Sequence, residues 1–180
     1  LAYNFLNSPF AIDYMVGSMI TMATDELASA RMGSGLGLGD PEEEHDCFSD
    51  NTHNSHYYDI LGIQNVYTGS YTRVDGSKVE GASVEDLLAA KDANIAKELT
   101  ANIAATVASG ATMVKRAKEI EAYDQMIGEG NVEGNAVVQA VVDSLVTQTK
   151  SLEKAVAALG LKTIEFEGSD SLDAPEKVAG

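Results

Sequence analysis

The chain has 180 residues, of which 28 are aspartate or glutamate and 12 are lysine or arginine, so its formal net charge is -16 at pH 7. Such an excess of negative charge argues against nucleic acids and anionic membranes as partners, because both are bound through cationic surface. With 44% hydrophobic residues the chain can bury one sizeable core. Its single cysteine, Cys47, cannot form an intramolecular disulfide, and no apolar run reaches the ~20 residues that span a bilayer.

Apolar residues recur every three or four positions along most of the chain. This spacing predicts an all-α protein, an up-down bundle of about four long helices. The first helix is predicted over residues 10–32, ending at the glycine-rich stretch 33–39. The second is predicted to begin at Asp40 and Pro41, an N-cap followed by a proline at the first helical position, and to end near residue 61.

The next part of the chain is predicted to be a glycine-rich irregular excursion over residues 62–82, in which a brief hairpin would fit. Ser83 is predicted to cap a third helix that reaches Gly110, where the glycine would break or kink it. A shorter charged helix over residues 112–127 and a long last helix that ends at Gly160 complete the predicted bundle.

The composition changes after residue 161, where threonine, glutamate, serine and aspartate replace the periodic apolar pattern. A segment of this composition at a chain end is typical of an extended tail, either packed along the bundle or partly mobile. We therefore predict a helical bundle over residues 1–161 and an extended tail over residues 162–180.

All three histidines lie in one segment, residues 42–56, which we call the histidine stretch and which reads E-E-E-H-D-C-F-S-D-N-T-H-N-S-H. On a continuous helix one face of roughly 80° would carry several of its polar side chains. These are Glu42, His45, Ser49, His53 and His56, with Asp46 and Asp50 beside them. Imidazole and carboxylate groups together bind zinc, iron, copper or nickel, and the i, i+3 spacing of Asp50 and His53 lets two ligands reach one ion. The alternative is a solvated polar face with local hydrogen bonds.

Other chemistries have less support in the sequence. Cys47 follows Asp46 and has no cationic neighbour in sequence, so its thiolate is disfavoured. Ser49 lacks a surrounding G-x-S-x-G turn, and the chain contains no H-E-x-x-H pair.

Three segments resemble, in order, segments of the imelysin-like family, also called the insulin-cleaving metallopeptidase-like or iron-regulated protein A-like family. They are D-E-L-A-S-A-R-M at residues 25–32, E-E-E-H-D-C-F-S-D-N-T-H at 42–53 and L-G-I-Q-N-V-Y-T-G-S-Y at 61–71. These segments belong to the C-terminal half of the family. Its hallmark G-x-H-x-x-E belongs to the N-terminal half and does not occur in these 180 residues.

The resemblance implies a fold of two similar helical bundles side by side, with a site between them. This chain would supply one bundle, as a fragment or as a separately encoded half. The implied partner is the N-terminal half of the same protein, carrying the G-x-H-x-x-E motif and present as another chain.

The resemblance also implies a function. It places the protein in the bacterial periplasm or anchored to the outer membrane, in iron uptake, with a metal or another ligand bound between the bundles. The implied cofactor is iron or another divalent metal. Two alternatives are a metallopeptidase of the insulin-cleaving type and a non-enzymatic module that recognises haem, a glycan or a partner. The peptidase alternative rests on the family resemblance alone.

Residue by residue, the resemblance assigns candidate roles to seven positions. The candidate metal ligands are Asp50, His53 and His45, and the candidate ligand-binding or ligand-supporting residues are Glu26, Arg31, Ser49 and Asn51. For Arg31 the alternative is a structural ion pair with Asp25, Glu26 or a carboxylate of the partner. In the recognition alternative, the contact candidates are Tyr57, Tyr58, Tyr67 and Tyr71.

Overall fold

The computed structural model describes residues 7–162. Its N-terminal part is a nearly continuous helical rod followed by a turn and a long helix. The rod consists of α1 (Ala11–Thr21), a π-helical segment (Met22–Arg31) and α2 (Met32–Leu38). A single 3-10 turn at Pro41–Glu43 leads, through further turns, to α3 (Thr52–Thr68).

The C-terminal part begins with a two-stranded hairpin and continues as helices. Its elements are β1 (Ser70–Thr72), β2 (Lys78–Glu80), α4 (Val84–Lys91), α5 (Ala93–Glu119), α6 (Tyr123–Ile127) and α7 (Val132–Leu159). The strands pair antiparallel, with Tyr71 opposite Val79. The hairpin, the Ser83 cap and the helix end at Gly160 are therefore confirmed. The predicted tail falls almost wholly on residues 163–180, outside the described residues.

The core lies between the rod and the three long helices. α7 packs along α5 and along the π-helical segment, while α3 packs on α5. The apolar side chains buried between them include Leu27, Met32, Ile60, Leu99, Met113, Leu145 and Leu152. Each such side chain stabilises the fold by about 1.5–3 kcal/mol relative to exposure. The prediction of an all-α bundle is confirmed. Within residues 7–162, every helix is too short or too polar to cross a bilayer.

The prediction ends the first helix too early. The helical rod passes through the glycine stretch and stops only at Gly39, which adopts a left-handed conformation with φ 62°. Gly33 follows the π-helical segment, and a Cβ placed on it would lie 2.5 Å from the carbonyl oxygen of Ala28. At this position glycine provides space for a wide helical turn and does not end the helix.

The second predicted helix is wrong over most of its length. Asp40 does accept a hydrogen bond from the Glu42 backbone N–H, but this cap begins only a 3-10 turn. The chain then turns, Asp50 takes a left-handed φ of 49°, and α3 begins at Thr52. α3 continues past Gly62 to Gly69. The single helix face predicted for the histidine stretch therefore does not exist.

The break in the third predicted helix lies at a different residue. Helix α4 ends at Asp92, whose carboxylate then caps α5 by accepting from the N–H groups of Asn94 and Ile95. Gly110 lies within α5 and does not break it. A Cβ on Gly110 would meet the side chains of Ile60 and Tyr57 at 3.0 Å. Gly110 thus allows α3 to approach α5 closely.

Candidate functional site

The π-helical segment places Glu26 and Arg31 together. In a π-helix residue i bonds to residue i+5, so side chains five positions apart lie on the same side. Arg31 donates from Nε and Nη2 to Glu26 Oε2, at 3.4 and 3.3 Å. In an α-helix five residues correspond to a rotation of about 140° beyond a full turn, which would separate the two side chains. The local widening of the helix therefore creates this ion pair.

Arg31 also joins the rod to α3. Its Nη1 donates to Asp59 Oδ2 at 3.0 Å. The side chains of Arg31 and Asp59 are partly buried, with exposed fractions of 24% and 30%, and that of Glu26 is exposed, at 48%. We call these three side chains the charged cluster. The structural ion pair considered for Arg31 is thus present with Glu26, and Asp59 is a second acceptor within the chain.

The charged cluster has more negative than positive charge. Burial raises the pKa of Asp59, the Arg31 guanidinium opposes that rise, and the Glu26 carboxylate adds to it. Burial and Glu26 also raise the pKa of the neighbouring Asp25. Two carboxylates share one guanidinium, so an approaching cation would be attracted to this part of the surface.

Two cavities adjoin the charged cluster. The apolar groove, about 380 Å³, lies between α1 and α3. Its lining consists of Tyr14, Met15, Ser18, Met19, Met22, Tyr58, Asp59, Gly62, Ile63 and Val66. A second cavity of about 510 Å³ shares part of that wall and is lined also by Glu26 and Arg31. The charged cluster therefore has its members in both cavities, and the volume of each is in the range of ligand sites.

The histidine stretch is arranged differently, because its histidines do not gather around one point. His45 is exposed in the turns before α3, whereas His53 and His56 are buried on α3. The ring of His45 lies 6.0 Å from that of His56, and the ring of His56 lies 5.3 Å from that of Tyr123, both measured between centroids. His45 is thus paired with His56 and not with His53.

His56 is a neutral side chain of the core. Burial, with smaller effects from His45 and Arg31, lowers its pKa from 6.5 to about 3, against an opposing effect of Asp46. Within residues 7–162, neither ring nitrogen of His56 nor the hydroxyl of Tyr123 has a hydrogen-bond partner. Burial also raises the pKa of Tyr123. This pair therefore packs as apolar rings do, at some cost in unsatisfied polar atoms.

The candidate metal ligands Asp50 and His53 are neighbours, but His53 is poorly placed to bind a metal. Burial lowers the pKa of His53 below its ordinary value, and the Asp50 carboxylate opposes that shift only in part. Nε2 of His53 lies 3.2 Å from the Asn54 amide nitrogen, and its Nδ1 is buried. Between residues 7 and 162, no group of three or more His, Cys, Asp or Glu side chains could hold a metal ion. A metal site at Asp50, His53 and His45 stays a prediction, and this bundle alone does not complete it.

The other polar residues of the histidine stretch stabilise its turns. The Thr52 hydroxyl accepts from the Asp46 N–H at 3.0 Å and donates to Glu44 at 2.8 Å. Ser55 donates to the Asp46 carboxylate. The candidate Ser49 donates to the Asp46 carbonyl oxygen at 3.2 Å. These bonds order the turns and the start of α3.

The last of these candidates, Asn51, is the residue before α3. Its side-chain oxygen accepts a hydrogen bond from the Asn54 amide at 2.8 Å. The same amide of Asn54 faces His53. Asn51 therefore helps to fix the first turn of α3 and the orientation of the His53 ring.

The four tyrosines considered as contacts of a recognition module do not form one group, although the rings of Tyr57 and Tyr58 lie 5.9 Å apart. Tyr67 is fully buried, and its hydroxyl donates to the Ala96 carbonyl oxygen at 3.2 Å. Tyr71 is on the hairpin, and Tyr57 packs near Gly110. Of the four, only Tyr58 lines the apolar groove.

Asp59 is the site residue that sequence analysis missed. It is the only acidic residue between Thr52 and Thr68, and it lies between two tyrosines and two aliphatic residues. A lone carboxylate among tyrosines and aliphatic residues of a helix is a recognisable signal, because its burial requires a partner. Its partner Arg31 is 28 positions away, so the pair itself could not be read from sequence.

The chain was compared with curated proteins and with models of protein families. A search of curated proteins found no significant match to the chain. The family model described as imelysin, a peptidase M75 family, matches residues 2–152. The match includes the charged cluster, the histidine stretch and the apolar groove, and it covers most of the chain. The chain therefore belongs to the imelysin family.

Proposed function

We propose that this bundle is the recognition half of an imelysin-type protein that acts in bacterial iron uptake, in the periplasm or at the outer membrane. In this proposal the ligand binds between this bundle and a second one that carries the G-x-H-x-x-E motif. The observation that carries the proposal is the charged cluster, because the partly buried Arg31 and Asp59 and the exposed Glu26 lie beside two cavities. Partly buried charges next to a cavity are typical of binding sites.

Iron is the cargo in this proposal and not a resident cofactor. Iron favours carboxylate oxygen and imidazole nitrogen as ligands. Glu26 and Asp59 offer carboxylates at the surface, whereas His53 and His56 are buried. This half therefore contributes Glu26 and Asp59, and the second bundle contributes the remaining ligands. Arg31 holds the two carboxylates in place before the cargo arrives.

A binding role has more support than a metallopeptidase role. Metal-dependent hydrolysis needs a metal-bound water and a base held beside it. The residues described here contain no three-ligand group, so the second bundle would have to supply the ligands that complete a metal centre. We therefore keep peptidase activity as the alternative that the assembled protein can test.

The proposal is tested by isolating the tagged chain from its own organism, grown with ample iron. We expect a second chain with the G-x-H-x-x-E motif and bound iron to co-purify, both identified by mass spectrometry. Iron is quantified per mole of co-purified second chain, and the double variant Glu26→Gln and Asp59→Asn should lower this ratio at least about tenfold. The same samples are incubated with an unfolded polypeptide, with and without chelator.

A matched control changes two exposed carboxylates of the hairpin region, Asp75→Asn and Glu80→Gln, which are outside both cavities. It should retain the iron of the wild type. The proposal is wrong if the wild type carries no iron, or if the Glu26 and Asp59 variant carries as much as the control. Cleavage of the polypeptide that chelator abolishes would favour the peptidase alternative.

A further inference from the structure

The walls of the apolar groove are two rows of side chains, each on one helix. Tyr14, Ser18 and Met22 form the row of the rod, at positions i, i+4 and i+8, and α3 contributes a second row with the same spacing. That second row consists of Tyr58, Gly62 and Val66. Each row spans about 12 Å, or two helical turns. Parallel rows of i, i+4 spacing are the surface into which the side chains of another helix pack.

The residues in the middle of each row are small, and the side chains at its ends are large. Ser18 and Gly62 occupy the middle, and a Cβ on Gly62 would have no atom within 4 Å. At the ends, Tyr14 and Tyr58 expose 61% and 67% of their surface. Exposed aromatic side chains around an apolar depression are typical of protein contact surfaces. The groove therefore has room for apolar side chains over about two turns of a helix.

The charge beside the apolar groove indicates the sign of the charge on the partner that binds there. Asp59 lines the groove and, with Glu26, shares the single guanidinium of Arg31. When no iron is bound, a lysine or arginine at that end would be attracted to the remaining negative charge. A second copy of this chain would present the same acidic end and a net charge of -16. Like charges would then meet, which disfavours self-association.

We propose that the apolar groove binds an amphipathic helix of a partner chain, with about two turns of apolar side chains between the two rows and a lysine or arginine beside Asp59. This inference deepens the proposed function and rests on it, since the helix would belong to the second bundle. It adds to the proposed function where the second bundle contacts this one, that this contact is apolar, and that the bound helix carries a positive charge beside Asp59.

The test uses a fluorescent synthetic peptide of about 15 residues. Leucine and alanine form one face, glutamine forms the other, and a single arginine lies near one end. Its binding to the full chain is followed by fluorescence anisotropy. We expect the variant Gly62→Leu to bind at least about tenfold more weakly, because the leucine fills the groove. The variant Gly37→Leu is the matched control, since Gly37 is also a helical glycine with no atom within 4 Å of an added Cβ. It should bind as the wild type does.

The charge is tested with a second peptide in which glutamate replaces the arginine. It should bind the wild type at least about fivefold more weakly, and Asp59→Asn should reduce that difference. Circular dichroism checks that each variant is folded. The inference is overturned if Gly62→Leu binds like Gly37→Leu, if a scrambled peptide binds equally well, or if the wild type forms a dimer that Gly62→Leu disperses. Peptide binding is measured without iron, so its failure is distinct from a failure of the iron experiment.

Discussion

The buried histidines at the start of α3 and the charged cluster have opposite relations to solvent, although both belong to segments that match the imelysin family. The histidine stretch has the richer set of chemical groups, yet His53 and His56 are buried and its hydroxyl groups bond to neighbouring turns. The charged cluster has only Glu26, Arg31 and Asp59, yet it lies beside two cavities. Exposure to a cavity, and not the number of reactive groups, therefore selects the candidate site.

The two regions also differ in the interactions that stabilise them. The start of α3, in the histidine stretch, is stabilised by the burial of Thr52, His53 and His56 and by short-range hydrogen bonds, so changes there should affect stability first. The charged cluster is partly exposed, and exposed ion pairs contribute little to stability. Changes of its charges should therefore affect binding more than folding.

The largest expected effect concerns the backbone that forms the charged cluster. We predict that Gly33→Ala destabilises the fold by about 3 kcal/mol, because the added Cβ would lie 2.5 Å from the Ala28 carbonyl oxygen. The free energy of unfolding is measured by urea denaturation. The control Gly37→Ala places its Cβ in open space and should stabilise by up to about 1 kcal/mol through helix propensity. Equal stabilities of the two variants would contradict the wide turn at the end of the π-helical segment.

We next predict that acid destabilises the fold through the buried His56. The pKa of His56 in the fold is about 3, below its ordinary value of 6.5. Between these values the unfolded chain binds the proton and the folded chain does not, so stability falls as pH falls through this window. We expect a loss of roughly 2–3 kcal/mol between pH 7 and pH 4.5 from this residue, measured as the change in unfolding free energy.

The control for the acid effect is His56→Leu, which keeps an apolar side chain in the core and removes the titrating ring. Carboxylates with raised pKa values, such as Asp59 and Glu44, act in the opposite direction, because in the fold they retain protons to higher pH. The difference between wild type and His56→Leu therefore isolates the histidine. If both proteins lose the same stability at pH 4.5, His56 does not titrate as a buried neutral ring.

Much of the fold follows from local patterns. The periodic apolar residues predicted the all-α bundle, and the local caps at Ser83 and Gly160 were found where their sequences place them. The turns before α3 could not be predicted, because they depend on Thr52 bridging Asp46 and Glu44 across several residues. A run of acidic residues after a proline suits a helix start equally well.

The candidate site was only half visible in the sequence. Glu26 and Arg31 were identified, but their five-residue spacing argues against contact in an ordinary α-helix. The π-helical segment that joins them is stabilised by packing against α7 and by the space at Gly33. Asp59 and the groove beside it depend on two helices meeting. Tertiary packing, which local spacing does not encode, placed these residues together.

The smallest expected effect is in the charged cluster itself. We predict that Arg31 and Asp59 couple by only about 1 kcal/mol in a double-mutant cycle of Arg31→Met and Asp59→Asn, because both side chains are partly exposed. Arg31→Met alone should cost slightly more than Asp59→Asn alone, since it leaves two carboxylates without their cation. The cycle is measured by urea denaturation at pH 7 and repeated in high salt, where the coupling should shrink. A coupling of several kcal/mol that salt does not change would identify the cluster as a structural element of the core, and it would remove the contrast with the histidine stretch on which the choice of site depends.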